Sequence, residues 1–141
     1  MGERNPNVFS FEAVNEIEIS SLIRDLDDAA AGYDDLSSKV IKYGLNYILK
    51  PLTHIINRSL ITGIVPSKLK IARVTPIFKN GSKHLFSNYR PISVLPVLSK
   101  VLEKIVHKQL SNFLNDCNII NPNQFGFQEK KINIRCNIKI Y

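Results

Sequence analysis

The chain has 141 residues, a formal net charge of +7 and 44% hydrophobic residues. That is enough apolar content for one packed domain, and it excludes wholesale disorder. No apolar run is long enough to suggest a membrane span. The polar start MGERNPNVFSFE lacks the apolar core of a secretory signal, so the expected location is intracellular and otherwise open.

The charge is unevenly placed. Residues 1–66 hold six Lys/Arg and nine Asp/Glu, whereas residues 67–141 hold thirteen and three, so the halves carry −3 and +10. A basic half of this size suggests a polyanion partner, most simply nucleic acid; a solvated lysine surface is the competing explanation. Cys117 and Cys136 are too few for a disulfide framework or a zinc site and are expected to be reduced thiols.

In chain order, Asn15 and Glu18 have the spacing of a helix cap and its N3 partner. Ile19, Leu22, Ile23 and Leu26 follow as an amphipathic stripe, with Gly32 as a candidate stop. Ser37 to about Gly44 predicts a short helix. Leu45–Thr62 predicts a longer one, with Ile48, Leu52, Ile55, Ile56 and Leu60 on the buried face. Pro51 either kinks it or restarts it, and Gly63 and Pro66 close it. Ser67–Lys70 reads as a single turn.

The pattern then changes period. Residues 72–78 and 89–95 are β-prone and flank a polar loop, Lys79 to Asn88, that contains the turn signal Asn80-Gly81; the pair predicts a hairpin. Pro76 and Pro91 restrict these strands to edge positions or strand ends. Helical spacing returns from Pro96 to about Leu114, with Leu98, Val101, Leu102, Ile105, Leu110 and Phe113 predicted inside. Lys100, Lys104, His107, Lys108 and Asn112 fall largely on the other face. Residues 132–140 alternate strictly, the pattern of a half-buried strand.

Lys70, Arg73, Lys79, Lys83, His84 and Arg90 cluster on or beside the hairpin. Lysine offers a point charge and arginine a planar fork, and both suit phosphate oxygens. Pro91 biases Arg90 toward extended backbone and so sets where its side chain starts. These residues read either as a phosphate grip or as a solvated basic hairpin. The three histidines have no metal-ligand spacing, and there is no glycine-rich phosphate loop.

The run GIVPSKLKIARVTPIFKNGSKHLFSNYRPISVLPVLSKVLEKIV, followed by Gln124, Gly126 and Phe127, resembles the fingers region of reverse transcriptases from non-LTR retrotransposons, the jockey-type elements above all. Upstream, Gly32-Tyr33-Asp34 resembles the G-x-D that precedes this block, so the likeness extends over about residues 14–128. It implies an α+β chain in which a helix-rich N-terminal region, 1–66, precedes a fingers hairpin and long helix, 67–128. A divergent tail occupies 129–141, and the palm is absent. In polymerases of this kind the hairpin closes over the incoming nucleotide. By position, Lys79 and Arg90 would bind its triphosphate, while Lys70, Arg73, Lys83, Gln124, Gly126 and Phe127 would lie along the template. The implied partners are an RNA or DNA template-primer and a dNTP; oligomeric state is not legible.

The sequence also departs from that pattern. Leu69 replaces a usual tryptophan, Gln128 a usual arginine, and the tail does not follow the family. The metal-binding carboxylates lie downstream in the family, so this chain is expected to hold no catalytic residue and no metal, with Mg²⁺ belonging to the intact polymerase. Tyr33-Asp34-Asp35 lacks the spacer of the family's Tyr-x-Asp-Asp and reads as a turn before a helix cap, provided by Asp35 or Ser37. The resulting expectation is a truncated polymerase remnant that keeps nucleotide- and template-binding elements without activity of its own. The alternatives are a basic nucleic-acid-binding module or a non-functional translated remnant.

Overall fold

The computed structural model describes residues 8–28, 31–121 and 124. Helices α1 (Glu16–Arg24), α2 (Ser38–Tyr43) and α3 (Leu45–Thr62) come first. An antiparallel pair, β1 (Arg73–Phe78) and β2 (Tyr89–Val94), follows, and then α4 (Val97–Asp116); the fold class is α+β. The described residues within 10–109 form one compact unit, and residues 8–9 with 110–121 and 124 belong to a second.

Local sequence explains where most elements begin. The Asn15 side chain accepts from the Glu18 N–H at 2.8 Å and caps α1, whose first turn is acidic as the helix dipole favours. Ser37, rather than Asp35, caps α2 by accepting from Val40 N–H. Helix α3 runs unbroken through Pro51; the break between α2 and α3 falls about two turns earlier, at Gly44. Gly63 ends α3 in the left-handed region (φ 70°), which glycine enters without the Cβ clash that other residues meet.

Two expectations about helix ends and faces are corrected. Gly32 does not stop α1, which ends at Arg24 with the Asp25 N–H bonded to Ser21 O. Gly32 instead packs where a Cβ would lie 2.7 Å from Pro96 N and 2.9 Å from Pro96 Cα, so it is a close-approach glycine. Ile55 and Leu110, predicted inside, are exposed because each sits at the margin of its helix's apolar stripe.

In the larger unit the core gathers Ile19, Ile23, Leu26, Ile41, Leu45, Leu52, Ile56 and Leu60 from the first three helices and their flanks. Val97, Val101, Leu102 and Ile105 join from α4. Burying each such side chain contributes about 1.5–3 kcal/mol. Periodicity does not reveal how residues 12–14 are held. Asn57 on α3 accepts from Val14 N–H and donates to Val14 O at 2.8 and 2.9 Å. Gln109 on α4 treats Glu12 in the same way, both bonds being 2.9 Å. Two side-chain amides thus stand in for a neighbouring strand and satisfy an otherwise unpaired stretch of backbone.

In the smaller unit, the Phe9 and Phe113 rings meet at 5.2 Å, and Asn118 takes the left-handed conformation just past α4. The predicted strand over 132–140 lies outside the described residues.

Candidate nucleic-acid interface

The hairpin is built around a proline pair. The register sets Pro76 opposite Pro91, with Ile77 opposite Arg90 and Phe78 opposite Tyr89. Opposed residues in an antiparallel ladder alternate between pairs that exchange hydrogen bonds and pairs that do not. Proline has no N–H to give, so Pro76–Pro91 suits a non-bonded pair. The bond from Lys79 N–H to Asn88 O at 2.8 Å continues the bonded series past the strand ends with the same parity.

The register sorts the side chains. Val74, Pro76 and Phe78 share a face with Ser93, Pro91 and Tyr89; Thr75, Ile77 and Lys79 share the other with Ile92 and Arg90. Lys79 and Arg90, separated in sequence by the whole loop, are diagonal neighbours on one face, roughly 7–8 Å apart in such a ladder. Both are exposed, as is nearly all of β1 and β2.

On the opposite face the loop folds back. The Phe78 and Tyr89 rings meet edge to face at 5.5 Å, and Lys83 Nζ stands 5.8 Å from the Phe78 ring centre. Tyr89 OH donates to Lys83 O at 2.9 Å, and Asn88 Nδ2 donates to Ser82 O at 2.8 Å. Gly81 has φ 84°, and a Cβ there would come within 2.8 Å of Asn88 Nδ2, so only glycine lets Asn88 close the loop. The Asn88-Tyr89-Arg90-Pro91 run therefore divides its labour: Asn88 and Tyr89 organise the loop, Arg90 is presented to solvent, and Pro91 completes the proline pair.

The other predicted contacts are more dispersed. Lys70 is exposed at the end of the turn Ser67–Lys70, which is tied down where Ser99 Oγ donates to Leu69 O at 2.6 Å. Arg73 begins β1 but is paired with Asp35. Sequence spacing gave no sign of that partner; Asp35 adopts φ 56°, a conformation asparagine and aspartate tolerate better than most residues. Gln124 is exposed and its N–H bonds Asn121 O at 2.9 Å. Gly126 and Phe127 lie outside the described residues.

Asp34 and Asp35 do not fit a metal pair. Asp34 Oδ1 accepts from Leu36 N–H in an Asx turn, and Asp35 faces Arg73. Among the described residues, no three His, Cys, Asp or Glu side chains gather where a metal ion could be held. Among them too, no helix is long and apolar enough to cross a membrane.

No protein-family model matches the chain. Among curated proteins it is 32% identical over 118 residues to the RNA-directed DNA polymerase from mobile element jockey of Drosophila melanogaster, a match covering 82% of this chain. It is 26% identical over 119 residues to the probable RNA-directed DNA polymerase from transposon X-element of the same fly, 84% of this chain. It is 29% identical over 99 residues to that from transposon BS, 70% of this chain. The chain spans 11–13% of the length of these relatives. It is homologous to a segment of the RNA-directed DNA polymerases of jockey and related non-LTR elements.

Proposed function

We propose that this chain is the fingers portion of an RNA-directed DNA polymerase. In this reading the hairpin grips nucleotide phosphates and the surrounding basic surface follows the template. The observation that carries it is the shared face of Lys79 and Arg90, which the proline register makes adjacent. Two cations on one rigid face can neutralise a transferring phosphate, one as a point charge and one as a fork. Residues 67–128 form the nucleic-acid-handling part and residues 1–66 the helical support. Lys70 and Lys83 belong to the template surface, whereas Arg73 reaches template only on leaving Asp35; Gln124, Gly126 and Phe127 are assigned to template by their sequence positions alone.

Polymerisation needs metal-binding carboxylates, and no three such groups gather among the described residues; in this reading the chain binds without catalysing. Primer extension on an RNA template with dNTPs and Mg²⁺ tests this: no extension is expected, and clear extension overturns it. Binding is tested by titrating labelled RNA at several salt concentrations. Affinity should fall steeply with salt and weaken in Lys79→Ala and Arg90→Ala. Competition by dNTP separates the fingers reading from its rival, a basic module that binds nucleic acid without a nucleotide site. The rival is favoured by the uninterrupted positive charge of the hairpin, whose residues 72–95 include no Asp or Glu.

A further inference from the structure

A second basic surface lies away from the hairpin. On α3, Tyr47, Lys50, His54 and Arg58 follow one another at i, i+3, i+7 and i+11, and all four are exposed. The buried side of the helix is occupied by Leu45, Leu52, Ile56, Ser59 and Leu60. Tyr43, the last residue of α2, places another ring just before the stripe; it is 90% exposed and Tyr47 is 87% exposed. No carboxylate interrupts the stripe, and the sequence has none between Asp35 and Glu103. Glu16 of α1 and its C-cap Asp25 line a groove with Leu49, on another side of α3.

Two large rings left in water beside three basic side chains have no role in the packing of this fold. Their chemistry matches one class of partner. Nucleobases stack on aromatic faces without regard to sequence, while lysine and arginine track the phosphates between them. The stripe from Tyr47 to Arg58 spans about 16 Å of helix, room for a few nucleotides. We propose that the outer face of α3, with Tyr43, is a track for single-stranded RNA in which the tyrosines stack on bases and Lys50 and Arg58 hold phosphates. This rests on the nucleic-acid part of the function proposed above and adds a site separate from the hairpin.

The test is fluorescence anisotropy of the full chain with a short fluorescein-labelled oligouridine and with a duplex RNA of equal length, at several salt concentrations. Lys50→Gln with Arg58→Gln should weaken single-strand binding and lower the log–log salt slope by about 1.4, the share of two phosphates. Tyr47→Ala should weaken it about tenfold with little change in slope, and Tyr47→Phe should bind like the parent. Circular dichroism confirms that each variant keeps its helices.

If the Lys50/Arg58 variant binds as tightly as the parent while Lys79→Ala with Arg90→Ala loses binding, the track is overturned and the hairpin reading survives. That result leaves the α3 face to a protein partner. If the hairpin variant binds normally and the α3 variants do not, the track stands and the hairpin reading fails. Equal affinity for duplex and single strand, with no effect of Tyr47→Ala, overturns the stacking role. Absence of any RNA binding at low salt overturns both sites.

Discussion

Pro76 and Pro91 stand directly opposite each other across the hairpin. Because neither can donate to the ladder, a register that sets them opposite in a non-bonded pair leaves no donor missing, and that register carries Lys79 and Arg90 to the same side. A residue type usually read as a strand breaker here helps specify register.

Proline should therefore be tolerated or rejected by position. Replacing Pro76 with Val keeps the parity and should leave the Lys79 amide protected from hydrogen exchange. Ile77→Pro removes a donor from a bonded pair and should abolish that protection while the helical core melts unchanged. NMR-detected exchange at Lys79 distinguishes the two.

On the proposed reading, Asp35 and the template compete for Arg73. The pair is solvent-exposed, its side chains 46% and 81% accessible, so its contribution to stability is within about 1 kcal/mol. Asp35→Asn keeps a residue that tolerates positive φ, removes the counter-charge and frees the guanidinium. RNA affinity should rise a few-fold at low salt and the salt slope should steepen, whereas Arg73→Ala should weaken binding only slightly in the parent. Anisotropy titrations measure both.

Glycines at two helix junctions should respond oppositely. Gly32→Ala drives a methyl group into the Pro96 backbone and should cost about 1–3 kcal/mol. Gly44→Ala meets nothing closer than Val40 O at 3.5 Å, at a negative φ, and should be neutral or stabilising by about 0.4–1 kcal/mol. Urea denaturation gives both values.

In the core, Ile23 and Ile105 are almost wholly buried, and truncating either to Ala should cost about 2–5 kcal/mol. Ile17, on the same helix as Ile23 but 81% exposed, should change stability by less than about 0.5 kcal/mol. Ser38 Oγ is buried with no hydrogen-bond partner, so Ser38→Ala should not destabilise. Thermal melts followed by circular dichroism compare the set.

Much of this was legible in the residues. Helical spacing placed α1, α3 and α4 because a 3.6-residue period marks a one-sided core. Capping chemistry placed Asn15, and the strand–turn–strand pattern placed the hairpin. The ordered match from Gly63 to Phe127 pointed to the polymerase family before any geometry was known. Other features depended on residues far apart in the chain. No local pattern says that Gly32 must clear Pro96, that Asp35 meets Arg73, or that Asn57 and Gln109 bind the backbone of residues 12–14. Nor does periodicity reach a stripe's margin, where Ile55 is left in water. The sequence by itself determined the helices, the hairpin and the family, because these follow from spacing and residue type. Only the tertiary structure decided which cations are free and which share a face, because that depends on strand register and on side chains meeting across the fold.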